Sequence, residues 1–156
     1  MEDRFLIGFT SGVIGGITSA IISIPLYFFK FTTLRLVDFA VTLILGKGPH
    51  RVTEIIFGLL LHWGFSGMLG VFFAYLVNHQ TITDRYLWMK GGLLGLGSWF
   101  IINVLTTIFR VKGLGVIPVE TAFILAVTSM FMGVTMALTF EWFMKKQKVS
   151  WKGRKE

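Results

Sequence analysis

The sequence predicts an all-α polytopic membrane protein: a four-transmembrane-helix bundle with a short interfacial or re-entrant helix between the first two spans. Three observations carry that expectation. Of the 156 residues, 54% are hydrophobic, and the mean hydropathy is +0.73. Four apolar runs, at about 5–29, 52–77, 86–109 and 119–144, each exceed the roughly 20 residues that cross a hydrocarbon layer at ~1.5 Å per residue. Each run also repeats small or polar residues at every fourth position, which aligns them along one helix face and suits close packing in lipid. A soluble chain would interrupt such runs with periodic polar positions.

The same composition excludes several classes. With no cysteine there is no disulfide, no thiolate catalysis and no Cys-ligated zinc or iron–sulfur centre. The net charge of +7 sits in blocks that flank the apolar runs. The topology rule and anionic lipid explain that placement better than nucleic acid does. We read residues 1–148 as a single membrane domain and 145–156 as a basic cytoplasmic tail.

The first run follows a short charged start, and its apolar stretch is too long for a signal-peptide core, so it is expected to stay in the mature protein. It carries two parallel small rows, Gly8, Gly12, Gly16 and Ala20 beside Ser11, Gly15, Ser19 and Ser23. Pro25 falls near its end, where the loss of one backbone bond bends the last turns.

Residues 34–45 are apolar but too few to span, with Arg35 and Asp38 at their start, hence the interfacial or re-entrant helix. Gly46, Lys47, Gly48 and Pro49 then form a hinge into the second span. Were 34–45 to cross, the two chain ends would lie on opposite faces.

The second span reads Gly58, His62, Ser66, Gly70 and Ala74 along one face, and it holds the only histidine at membrane depth. The third reads Gly91, Gly95, Trp99, Asn103 and Thr107, and the fourth Ser129, Gly133, Ala137 and Glu141. Counting from the span ends, His62, Ser19, Ser98, Trp99 and Ser129 all fall about ten residues in, ~15 Å deep and near the bilayer centre. With Asn103 they form a midplane polar layer or a ligand site. A neutral imidazole in hydrocarbon needs partners for both nitrogens, which hydroxyls at matching depth can supply. In one reading this layer sets helix register. In the other, His62 handles a proton or a ligand in a cavity.

A second group lies at the opposite ends of the spans from the termini. Arg51, Glu54, Arg110, Lys112 and Glu120 share one level as an outer charged rim that could receive an anionic headgroup, although Glu54 and Glu120 start helices and suit capping. With both ends cytoplasmic, nine basic residues lie inside against six outside. Lys145, Lys146, Lys148, Lys152, Arg154 and Lys155, with Trp151 as an interfacial anchor, are expected to meet anionic lipid. Glu141 and Lys145 are spaced as a helix-surface pair. Met130, Met132 and Met136 have no His or Cys beside them and read as packing. The glycines after Lys90 lack the strand and Lys-Ser or Lys-Thr of a phosphate loop.

The order of a small-residue first helix, a short segment with Asp38, HWGFSGMLGVFFAYL from His62 and GGLLGLGSWFIIN from Gly91 resembles the small four-span bacterial membrane proteins of the YqhR and YagU kinds. The resemblance implies a bacterial inner-membrane location and carries over no site residues. From the residues themselves we expect no metal, no cofactor and no enzyme, because no nucleophile–base pair can be assembled. The expected role is to dock a membrane-protein partner or homo-oligomer, or to organise lipid. The alternative is a transporter or channel subunit with a path lined by His62, Trp99 and Asn103, though the midplane carboxylate usual in ion-coupled carriers is missing.

Overall fold

The computed structural model describes residues 4–79, 85–114 and 116–152, with side chains through residue 146. It is all-helical over those residues: α1 (Arg4–Phe28), α2 (Leu36–Leu45), α3 (Val52–Asn78), α4 (Leu87–Ile108) and α5 (Val119–Lys152). Four of these are long and apolar enough to cross a membrane, and α2 is too short. The chain is therefore a multi-pass integral membrane protein in architecture.

Small residues inside and large apolar residues outside give this bundle the reverse of a soluble core. Ile21, Leu60, Met68, Phe100 and Phe123 all face outward, while Gly8, Ser11, Gly12, Gly15, Gly16 and Ser19 are buried in α1. Lipid tails are as apolar as these exposed side chains, so sequestering them gains little and close backbone contact drives association instead.

The two small rows of α1 serve two different neighbours. Gly8, Gly12 and Gly16 lie against Gly70, Ser66 and Trp63 of α3, in an order that makes the pair antiparallel. Gly15, from the second row, meets the Met132 carbonyl and Met136 of α5. On the far side of α5, Gly91 and Gly95 of α4 abut the Gly133 and Ser129 carbonyls. The helices thus run in spatial order α3, α1, α5, α4. Each seam in this row reads in the sequence as a four-residue repeat, and the expected four-helix bundle forms with α3 and α4 at its two ends rather than against each other.

One hydrophobic cluster joins the start of α1 (Ile7), the end of α3 (Phe73, Ala74), the start of α4 (Leu87) and the later part of α5 (Met136, Ala137, Phe140). It places the beginning of α1 and the later part of α5 at the same end of the bundle. The segment 29–51 consequently leaves and returns at the other end. Arg35 and Asp38 secure its helix: the Asp38 carboxylate accepts from Arg35 N at 2.7 Å and from Arg35 Nη2 at 2.8 Å, and the guanidinium lies 4.6 Å from the Tyr27 ring centroid. The Thr33 amide donates to Thr121 Oγ1 at 3.0 Å, fastening the approach to α2 against α5. Gly46 ends α2 in the left-handed conformation, φ 70°, which glycine adopts without penalty.

The short helix α2, expected as interfacial or re-entrant, packs against the long helices. Val37, Asp38, Phe39, Val41 and Thr42 are buried, with Val37 and Val41 over Gly58 of α3. Phe39 packs with Leu114 and Leu125, flanked by Trp99 and Ile102. The helix is a wedge between α3 and α4, seated from the end opposite the chain ends.

At the other end α5 runs on for 34 residues to Lys152, so the first part of the basic stretch from residue 145 is helical. At ~1.5 Å per residue it is ~51 Å long, against ~30 Å of hydrocarbon, and its last turns project beyond the core. Glu141 and Lys145 pair at 2.6 Å, and Lys146 lies over the Trp142 ring. The side chains of Lys148, Trp151 and Lys152, and all of Arg154 and Lys155, lie outside the described residues.

Candidate functional site

Where α3 and α4 stand apart, under α2, there is a cavity of about 280 Å³. Leu36, Phe39, Ala40, Leu43 and Ile44 of α2 line it on one side, Leu61, His62 and Phe65 on another, and Ser98, Trp99, Ile102 and Asn103 on the third. Ser129 and Met132 of α5 contribute from behind. Most of this surface is hydrocarbon. Its polar groups come from a few side chains at the depth where His62 sits.

His62 is buried, and its Nε2 lies 2.9 Å from Ser19 Oγ of α1. Ser19 is reached because α1 and α3 approach through glycine, which leaves room for a short interhelical bond. The Ser19 hydroxyl also lies 2.9 Å from the Gly16 carbonyl on its own helix. A carbonyl can only accept, so Ser19 donates to Gly16 and its oxygen accepts the Nε2 proton. That assignment makes His62 the Nε2–H tautomer in its neutral form, inferred from the hydrogen-bond pattern. Nδ1 makes no hydrogen bond among the described residues.

The remaining members of the polar layer do not close a network. Ser98 donates to Gly95 O at 2.8 Å, within its own helix. Asn103 Nδ2 donates to Trp99 O at 2.8 Å, again within its own helix. Ser129 is buried and makes no hydrogen bond among the described residues. A serine in a helix readily satisfies itself on the preceding turn, as Ser98 and Ser19 do, so residues at one level need not bond to one another. What unites His62, Ser98, Trp99, Asn103 and Ser129 is the cavity they line, with Ser19 one step behind as the partner of His62.

The α2 contribution had no signal of its own in the sequence. Ala40, Leu43 and Ile44 read as an interfacial face, and only the Arg35–Asp38 pair, spaced as a reciprocal helix cap, hinted that this short helix is held in one place.

The outer rim is not assembled into a single site. Glu54 accepts from the His50 and Arg51 amides at 2.6 and 3.1 Å and pairs with Lys47 Nζ at 2.9 Å. It caps α3 and closes the hinge. Arg110 and Lys112 sit in the turn after α4, along a shallow depression with Thr107 and Val116, and Glu120 opens α5. Among the described residues no ion pair joins these groups to Arg51 or Glu54. No group of three or more His, Cys, Asp or Glu side chains capable of holding a metal occurs among the described residues. In comparisons with protein-family models, curated proteins and solved structures, no match to this chain was found.

Proposed function

We propose that this integral membrane protein is a non-enzymatic lipid-organising protein that takes one chain-like apolar guest from the bilayer into the cavity between α3 and α4. The cavity carries the reading. It is of the size that ligand pockets begin at, about 300 Å³, and its lining is mainly apolar with a few convergent polar groups. Leu43, Phe65 and Ile44 belong both to that lining and to the exposed surface, so a chain enters sideways from lipid.

The transporter alternative shares the cavity but needs a second opening toward the chain ends. The cluster of Phe73, Met136 and Phe140 fills that end, which favours storage or presentation of a guest over passage. The expected bacterial inner membrane, with both ends cytoplasmic and the basic stretch from Lys145 against anionic headgroups, accords with the count of basic residues and with the resemblance to the YqhR and YagU kinds. A membrane-protein partner or second copy would then meet the large outward side chains.

The test is extraction and mass spectrometry of what co-purifies in mild detergent. Wild type should retain a near-stoichiometric single-chain guest, and Ala40→Phe, which fills the cavity from α2, should lose it with its thermal transition intact. Equal retention by both proteins would refute the reading. The cysteine-free background lets topology be read directly: Lys145→Cys should be labelled only from the cytoplasmic face and His50→Cys only from the other.

A further inference from the structure

The cavity is apolar but for a few side chains, and among these it presents a donor and an acceptor without partners among the described residues: the buried indole Nε1–H of Trp99, and Nδ1 of His62. His62 Nε2–H is committed to Ser19, whose own proton is committed to Gly16. His62 lines the cavity, and the ring nitrogen that Ser19 does not engage is Nδ1. His62 is only 7% exposed, and an unpaired acceptor held there is costly. Ser129, 3% exposed, lines the same cavity with a hydroxyl that has no hydrogen-bond partner among the described residues.

We infer that the guest is a single-chain amphiphile bearing a hydroxyl group, whose O–H donates to Nδ1 of His62. This rests on the guest-binding reading above and adds the chemistry of the head. A hydroxyl both donates and accepts, so it satisfies Nδ1 and leaves lone pairs for the unpartnered Trp99 Nε1–H, which an acceptor-only head would satisfy alone. Ketone, ester and ether oxygens only accept, and would leave Nδ1 unpaired. Water alone does not suit the whole space: about 280 Å³ corresponds to roughly nine molecules at ~30 Å³ each, most of them facing Leu, Ile, Phe and Met. One oxygen on a hydrocarbon body matches the lining.

The experiment compares three probes of equal chain length: a bromo-alkanol, its methyl ether and the bromo-alkane. Quenching of Trp99, which lines the cavity, is taken as the difference between wild type and Trp99→Phe. The outward-facing Trp142, read the same way with Trp142→Phe, gives the background from probe dissolved in the micelle. The alkanol should half-quench Trp99 at a mole fraction at least tenfold below that of the ether or alkane. His62→Phe should erase that preference while alkane quenching persists, which also shows that the variant still folds. In wild type, the Nδ1 resonance of His62 in nitrogen NMR should move on adding alkanol and stay in place with alkane.

Equal quenching by all three probes, or an alkanol preference that survives His62→Phe, overturns the hydroxyl inference and leaves guest binding standing. No excess quenching of Trp99 over Trp142 by any probe overturns guest binding itself.

Discussion

The two glycine seams and the gap between α3 and α4 are built from the same kinds of helix, yet one kind of boundary is closed and the other open. Along α1–α3 and α4–α5, a backbone carbonyl sits where a side chain would otherwise be, as at Gly12 against Ser66 and Gly95 against Ser129. Between α3 and α4 the facing residues are Leu61, Phe65, Trp99 and Ile102, too large for backbones to meet, and α2 fills only part of the space. In lipid no solvent pressure collapses such a gap, because hydrocarbon outside is as good a neighbour as hydrocarbon inside. A membrane cavity therefore needs little more than bulky residues at one boundary and small ones at the others.

Removing the wedge should perturb this contrast most. Asp38→Ala leaves the buried Arg35 guanidinium without its carboxylate, and losing one member of a buried pair costs about 3–5 kcal/mol. Thermal unfolding in detergent should show the largest drop for this variant, together with loss of the co-purifying guest. If Asp38→Ala melts like wild type, α2 is held by apolar packing alone.

Gly12→Ala and Gly95→Ala should come next. At Gly12 a Cβ would lie 2.8 Å from the Ser66 carbonyl carbon, and at Gly95 3.1 Å from the Gly133 nitrogen, so helices must separate, at about 1–3 kcal/mol by the usual cost of overpacking. Gly64→Ala and Gly97→Ala provide the counterpart, since a Cβ there meets nothing within 4 Å. They should leave stability unchanged or raise it by up to about 1 kcal/mol, because alanine loses less backbone freedom than glycine in a helix. Similar losses at all four glycines would mean that the seams are not what holds the helices.

Ser19→Ala should have the smallest effect of the designed disruptions. It deletes a single interhelical hydrogen bond to His62, about 0.6 kcal/mol by the average for such bonds in membranes. Denaturant titration in mixed micelles resolves a change of that size. A loss several times larger would place His62 in a wider network than its one bond to α1.

The amino-acid sequence alone determined the number of long helices and the extent of the first three, because a run of apolar residues near 20 has no stable alternative in a bilayer. It also determined which faces pack: the Gly8 and Ser11 rows, the Gly58 row with Ser66 and Gly70, and the Gly91 and Gly133 rows all lie on buried faces. The level of His62 could be counted from the span ends. Tertiary structure alone decided which seam meets which, since small rows are interchangeable as sequence and only the spatial order α3, α1, α5, α4 assigns them. It also decided that α2 enters the bundle and that Ser98 and Asn103 bond within their own helix. The cavity arises where two helices fail to meet, a property of the space between elements that no single stretch of chain encodes.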